Sequence, residues 1–137
     1  MYSLAQSHQL LLKYSIRPSV QRTMVMDYLL NNRNHPSVDE IFSVLIRTMP
    51  TLSRTTIYNS LNLFVARGAV RVLVIDEKNA RYDVDISLHA HFLCKECGKV
   101  YDILNIRKEL FEVPEMQDLE IETVEISYKG ICKNCRH

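Results

Sequence analysis

A chain of 137 residues suffices for one compact domain or two small ones, and small domains usually need a metal, a disulfide or a partner subunit. Its composition is that of an ordinary globular protein. No apolar run is long enough for a membrane span or a signal-peptide core, which predicts a cytoplasmic protein. The net charge of +1 excludes a strongly basic or acidic chain.

The charge is unevenly distributed along the chain. Residues 1–75 carry eight Lys and Arg against three acids, a net charge of +5, whereas the remaining 62 residues carry nine against thirteen, a net charge of −4. This asymmetry predicts a first half that faces nucleic acid and a second half with another task. Two differently solvated faces of one domain are the alternative.

Three helices are predicted in the first half, from capping residues and from apolar residues at helical spacing. The first follows Ser19 and ends near Asn31. The second follows Ser37, which begins a capping-box segment, and the third follows Ser53 and stops at Gly68. The predicted buried positions are Val20, Met24, Tyr28 and Leu29 on the first helix, Ile41, Phe42, Leu45 and Ile46 on the second, and Ile57, Leu61, Phe64 and Val65 on the third.

Residues 70–75 and 80–84 are rich in strand-forming types, and the polar residues 76–79 between them predict a hairpin. Three helices followed by a hairpin outline a winged helix, in which the third helix enters the major groove of DNA. Its outward side chains are of types that hydrogen-bond bases and phosphates: Arg54, Thr55, Tyr58, Asn59 and Asn62. The alternative is a three-helix core with a merely solvated polar face.

The second half, from about Asp85, is predicted to be mixed. Short strands are expected at 91–93 and 100–103, a short helix at 105–111 and a longer strand at 119–128. The alternation of the last strand slips by one residue near Thr123, which predicts a bulge or burial on both faces.

All four cysteines stand in two identical Cys-x-x-Cys pairs, Cys94 with Cys97 and Cys132 with Cys135. Two thiolates on one tight turn, here followed by Gly98, reach a single ion, and two such turns complete a tetrahedron. In a reducing compartment this spacing indicates zinc rather than disulfides. A redox centre would need a single pair at a helix start. The prediction is a closed, structural zinc site that offers no position for catalysis.

A second possible metal site begins with His89 and His91, which project to the same face of a strand. The other candidate ligands are His35, Asp83, Asp85 and Asp102. Mixed histidine and carboxylate ligands suit iron(II), manganese(II) or zinc(II). Two surface histidines on a strand are the alternative.

Six short motifs are distributed along the chain from residue 17 to residue 135. They are RPSVQR at 17–22, HPSVDEI at 35–41, SRTTIYNSL at 53–61, RYD at 81–83, HAHFLCKECGKVYD at 89–102 and CKNC at 132–135. Together they resemble the ferric uptake regulator family over nearly the whole chain. The resemblance implies an α+β protein with a winged-helix DNA-binding domain at 1–84, a hinge at about 82–88, and a small α/β dimerisation and metal-binding domain at 85–137. It further implies a homodimer on a palindromic operator in double-stranded DNA.

The resemblance also implies a regulatory metal between the two domains. Carried over by position, its ligands are His35, Asp83, His89, His91 and Asp102. Three imidazoles and two carboxylates suit iron(II) or manganese(II), with zinc(II) as a further candidate. Metal binding would close the hinge, so that bound metal raises the affinity of the protein for DNA by linkage.

Two features are similar to the peroxide-responsive branch of the family. Asp102 stands where iron-uptake members usually have Glu, and no histidine lies between His91 and His137 to complete their extra C-terminal site. This branch senses peroxide through oxidation of a ligand histidine. A sensor of iron or zinc levels within the same family is the alternative. The acidic stretch at 104–120 is short for the family, which implies different packing at the dimer interface.

Two other classes compete with a regulator. A zinc-ribbon interaction module without DNA-binding activity would use the same four cysteines but would leave His35, Asp83 and Asp102 without a role. A metal-dependent hydrolase would need a general base distinct from the ligands, and the sequence indicates none. We therefore expect a non-enzyme with two metals per chain, whereas the ribbon would hold one.

Overall fold

The computed structural model describes residues 1–74, 80–87, 89–112, 114–121 and 123–136. The chain forms two compact units, Met1–Ile86 and Ser87–His137. Helices dominate the first unit and a small sheet organises the second, so the fold class is α+β, as predicted. In the described part of the chain, no helix combines the length and the apolar character that crossing a bilayer requires.

The first unit contains four helices: α1 (Leu4–Lys13), α2 (Val20–Asn31), α3 (Val38–Leu45) and α4 (Arg54–Ala66). Each follows a serine whose side chain accepts a hydrogen bond from the backbone N–H three residues later, which satisfies one of the free donors at the helix start. The three predicted capping serines are confirmed. Gly68, at φ 79°, terminates α4 as expected.

Helix α1 was not predicted, although its capping box is present in the sequence. The Ser3 side chain accepts from the N–H of Gln6, and the Gln6 side chain accepts from the N–H of Ser3. Its presence corrects the predicted orientation of α2, because α2 packs against both α1 and α4. Val20, predicted to be buried, is 67% exposed. The buried residues of α2 are Val25, Met26, Leu29 and Leu30.

Strands β1 (Arg71–Leu73) and β2 (Arg81–Asp83) pair antiparallel after α4, which completes the winged-helix outline. The predicted turn at 76–79 lies outside the described residues. On α4, Ile57, Leu61 and Phe64 are fully buried as predicted, while Val65 is half-buried. Tyr82 of β2 is buried in the same core.

The second unit contains a three-stranded sheet of β3 (Ala90–Cys94), β4 (Val100–Ile103) and β5 (Ser127–Gly130) in the order β4-β3-β5. Strands β3 and β4 are antiparallel, and β5 runs parallel to β3. Gly130 of β5 lies against the Phe92 ring of β3, and a Cβ atom added to it would be in ordinary van der Waals contact with that ring at 3.4 Å.

Two predictions for this unit are wrong. The helix expected at 105–111 is a single 3-10 turn at Lys108–Phe111, followed by another at Pro114–Met116. The strand expected at 119–128 is limited to Ser127–Gly130, because β3 offers partners only to these four residues. The alternation slip near Thr123 therefore lies in non-strand chain rather than in a bulge.

Candidate metal centres and the exposed face of the fourth helix

The four cysteine sulfurs converge to within 4.8 Å of one another. The Sγ atoms of Cys97 and Cys132 are 3.8 Å apart. A regular tetrahedron with zinc–sulfur bonds of about 2.3 Å has edges of about 3.8 Å, so the spacing fits one zinc ion. All four cysteines have free thiols.

Two backbone turns position these cysteines. In the first, the Gly98 N–H donates to the carbonyl of Cys94 (2.9 Å) with Gly98 at φ 75°. In the second, the Cys135 N–H donates to the carbonyl of Cys132 (3.0 Å). A hydrogen bond from Lys95 N–H to the Gly130 carbonyl (2.8 Å) joins the first turn to the end of β5. The ends of β3 and β5 therefore meet at the cysteines.

Local hydrogen bonds favour a thiolate at Cys94. The backbone N–H groups of Cys97 and Cys132 donate to its sulfur at 3.5 and 3.4 Å, and they lower the pKa of Cys94 to about 6. By contrast, the hydrogen bond with Cys132, together with burial and the other sulfurs, raises the pKa of Cys135 to about 12. Four crowded sulfurs ionise together only around a cation, so the donor set fits a structural zinc ion.

Tyr101, which the sequence analysis missed, lies beside this cluster. Its hydroxyl is enclosed by protein, and no atom of the described residues meets hydrogen-bond geometry with it. The neighbouring Cys132 sulfur, burial and the sulfurs of Cys97 and Cys94 raise the pKa of Tyr101 to about 12. Strand alternation could have revealed this position, because Tyr101 pairs with Phe92, which shares a face with Cys94.

Changing Tyr101 to Phe is expected to weaken zinc retention by about 10-fold, because the variant loses a buried hydroxyl group beside the Cys132 sulfur. The measurement is zinc transfer to a chromogenic chelator at increasing chelator concentration. Tyr128→Phe, which alters an exposed tyrosine of β5, is the matched control. Equal zinc retention by the two variants would contradict the proposed contact.

A second ligand set lies within the same unit. His91 and Asp102 are cross-strand partners on β3 and β4. Oδ1 of Asp102 lies 3.2 Å from Nε2 of His89 and 3.3 Å from Nε2 of His91. Both histidines are buried. Nδ1 of His89 lies 2.8 Å from the Ser87 carbonyl oxygen, which can only accept, so Nδ1–H donates to it and Nε2 faces the carboxylate. Three electron-pair donors facing one another fit a bound cation.

Within the first unit, the buried side chains of His35 and Asp83 form a pair of their own, with 3.5 Å from Nε2 to Oδ2. The Tyr82 N–H donates to the Pro36 carbonyl (3.0 Å), which holds the histidine loop beside β2. The Asp85 N–H donates to Oδ1 of Asp83 (2.9 Å). His35 adopts φ 55°, a left-handed conformation that costs a non-glycine residue energy and often marks a functional position.

The face of α4 opposite its core positions is exposed. It carries Arg54, Thr55, Tyr58, Asn59 and Asn62. Beside it, Arg17 and Arg22 line a groove that also includes Thr56 and Asn59. The Arg22 guanidinium donates to the Arg17 carbonyl (2.6 Å). Both arginines belong to the motif at 17–22 but were not predicted to contact DNA, and the structure adds them to the polar surface around α4.

Comparisons with known proteins agree with one another. Residues 13–129 match the model of the ferric uptake regulator family. The peroxide-responsive repressor PerR of Staphylococcus epidermidis is 32% identical over 98% of this chain and 91% of its own length.

Solved structures support the fold. The ferric uptake regulator Fur of Helicobacter pylori aligns with a TM-score of 0.75 at 22% identity, over 98% of this chain and 94% of the other. PerR of Streptococcus pyogenes aligns with a TM-score of 0.54 at 27% identity, over 99% and 95%.

Proposed function

Because this chain belongs to the ferric uptake regulator family, we propose that it is a metal-dependent transcriptional repressor that binds a palindromic operator as a cytoplasmic homodimer. It is a regulator rather than an enzyme, as members of this family are. The observation that carries the proposal is the convergence of His89 and His91 on Asp102. A zinc-ribbon module would not need this second ligand set beside four cysteines.

We assign the regulatory ion to His35 and Asp83 of the first unit and to His89, His91 and Asp102 of the second. Each half of this set is supported separately, by the buried His35–Asp83 pair and by the two histidines facing Asp102. The mixed nitrogen and oxygen donors suit iron(II) or manganese(II), with zinc(II) as an alternative. An ion bound by ligands from both units would restrict the movement of one unit relative to the other. Metal binding would in this way be coupled to DNA binding.

The DNA-binding element of the proposal is α4, with Arg54, Thr55, Tyr58 and Asn59 facing the major groove. These side chains are exposed and can donate or accept hydrogen bonds. The β1–β2 hairpin would contact the DNA backbone. The net charge of +5 in residues 1–75 favours this orientation towards DNA.

For the signal, we propose peroxide. The staphylococcal relative is named a peroxide-responsive repressor. Asp102 also stands where the sequence resemblance implies an aspartate in the peroxide-responsive branch. Iron(II) held by these ligands would supply the electrons that reduce peroxide. The chain contributes buried imidazoles next to the ion, so oxidation is confined to them rather than spread over exposed side chains. A sensor of iron or zinc levels is the second candidate, since its ligands would be the same.

Operator binding tests this proposal when it is measured with iron(II), manganese(II) or zinc(II), before and after brief exposure to peroxide. We expect the iron-loaded protein to lose DNA binding and to gain one oxygen atom on the peptide with His35 or on the peptide with His89. The manganese-loaded protein serves as the matched control and is expected to stay bound and unmodified. The readout is a binding titration together with peptide mass spectrometry.

Other outcomes point to the alternatives. If the histidine peptides stay unmodified and DNA binding depends only on the metal concentration, the protein is a sensor of metal level rather than of peroxide. A protein with one zinc ion per chain and no DNA binding under any of the three metals would be the zinc-ribbon module.

A further inference from the structure

Arg54 is held by two side chains of the preceding helix. Its Nε–H donates to Oδ1 of Asp39 at 2.7 Å. Its guanidinium carbon lies 4.2 Å from the centre of the Phe42 ring. Asp39 and Phe42 are three positions apart on α3 and therefore share one face of that helix. Arg54 is the first residue of α4, so this contact lies where the predicted DNA-binding face begins.

Stability is a weak explanation for this arrangement. The side chains of Arg54 and Asp39 are 61% and 65% exposed, and ion pairs between such exposed groups contribute little to folding. Neither contact is needed to cap α4, because Ser53 already accepts a hydrogen bond from the Thr56 N–H. The contact instead restricts the conformations of one long side chain.

The restriction leaves a defined set of donors. An arginine carries five N–H donors, and here the Nε–H is the one engaged by Asp39. The ring of Phe42 fixes the plane of the guanidinium. The Nη1 and Nη2 groups lie at the far end of that plane, where they form a fork. Such a fork matches two acceptors side by side, as on a phosphate or on the O6 and N7 edge of guanine.

We propose that Asp39 and Phe42 are positioning residues that hold Arg54 as a preformed fork for a pair of acceptor atoms on the operator. The inference rests on the proposed DNA-binding function. Asp39 adds a second effect, because its negative charge beside Arg54 weakens the attraction of α4 to any DNA phosphate. Alignment and charge together raise the ratio of operator binding to non-specific binding.

The test uses full-length, manganese-loaded protein. The operator is the duplex that the wild-type protein enriches from a random-sequence pool, and a scrambled duplex of the same length measures non-specific binding. Asp39→Asn is expected to lower the affinity ratio of the two duplexes by about 10-fold. Asp39→Glu is expected to restore part of it, because the carboxylate returns one carbon farther from the backbone.

Glu40→Gln is the matched control. It removes one negative charge from the same turn of α3, while Arg54 keeps its contacts with Asp39 and Phe42. If Glu40→Gln lowers the ratio as much as Asp39→Asn, net charge alone explains the effect and the positioning role is wrong. Phe42→Leu is expected to lower the ratio without changing net charge. An unchanged ratio in both Asp39→Asn and Phe42→Leu would also overturn the inference.

Arg54→Ala then identifies the acceptor pair. Relaxed sequence preference at one base pair indicates a guanine edge, whereas a uniform loss with a salt-dependence slope smaller by about 1 indicates a phosphate. The first result supports the fork. The second contradicts it, because a phosphate contact carries no sequence information and cannot raise the ratio, and an Arg54→Ala protein with wild-type affinity and specificity would also exclude it. Wild-type protein that enriches no duplex with any metal would instead contradict the proposed function itself.

Discussion

A Cys97→Ser protein is expected to lose its zinc and the fold of its second unit. The remaining three sulfurs cannot complete the tetrahedron that the 3.8 Å spacing of Cys97 and Cys132 supports. Structural zinc contributes on the order of 10 kcal/mol to the folding of a small metal-binding domain, which is more than the small core of this unit supplies. The expected readouts are loss of zinc by elemental analysis and loss of strand signal in the circular dichroism spectrum.

Lys95→Ser is the matched control, because it introduces a serine into the same turn without removing a zinc ligand. Lys95 lies in the same turn between two ligands, and its backbone hydrogen bond to the Gly130 carbonyl is independent of its side chain. This variant is expected to keep one structural zinc and an intact second unit. The helices of the first unit are expected to remain in both variants, because their core is built from residues 11–82. A Cys97→Ser protein that retained full zinc and strand content would disprove the four-thiolate site.

The features that the sequence predicted correctly depend on local chemistry. A serine followed by a helical pattern caps its own helix, and Ser19, Ser37 and Ser53 all do so. The cysteine cluster was equally accessible, because all four cysteines stand in two matched Cys-x-x-Cys pairs. Neither feature requires knowledge of what packs against it.

The features that failed depend on distant partners. The buried face of α2 depends on α1, whose capping box was overlooked, so Val20 was assigned to the core and Leu30 was not. The extent of β5 depends on how many residues β3 offers in parallel pairing. The alternation of apolar and polar residues does not reveal how many residues can pair with β3. The predicted strand therefore began eight residues too early, at 119 instead of Ser127.

The residues proposed to bind the regulatory metal include both a feature that the sequence predicted and one that it did not. His89 and His91 were found because two imidazoles at alternate strand positions share a face. The left-handed backbone of His35 could not be inferred, since this conformation is uncommon for a residue other than glycine and the loop is held by a hydrogen bond between Pro36 and the distant Tyr82. Tyr101 was not predicted because its side chain is not of a metal-ligating type like that of Asp102, the next residue, which points to the other face of β4.

The other large effect is expected for Tyr58→Ala, which should weaken operator binding by about 100-fold or more. Tyr58 is 51% exposed, whereas its neighbour Ile57 is fully buried, so the substitution leaves the core of the first unit unchanged. The loss would come from a contact with DNA rather than from unfolding. The measurement is an operator titration with manganese-loaded protein, accompanied by metal content and the thermal unfolding midpoint.

Tyr58→Phe separates the two parts of the side chain. If the hydroxyl donates to a phosphate or a base, Tyr58→Phe loses part of the affinity, and if the ring packs against a thymine methyl group, it loses little. Both variants are expected to bind metal and unfold like the wild type, because neither removes a buried group. A large drop in the unfolding midpoint of Tyr58→Ala would mean that Tyr58 supports the core. The face of α4 assigned to DNA would then be wrong, and the contacts proposed for Thr55 and Asn59 would fail with it.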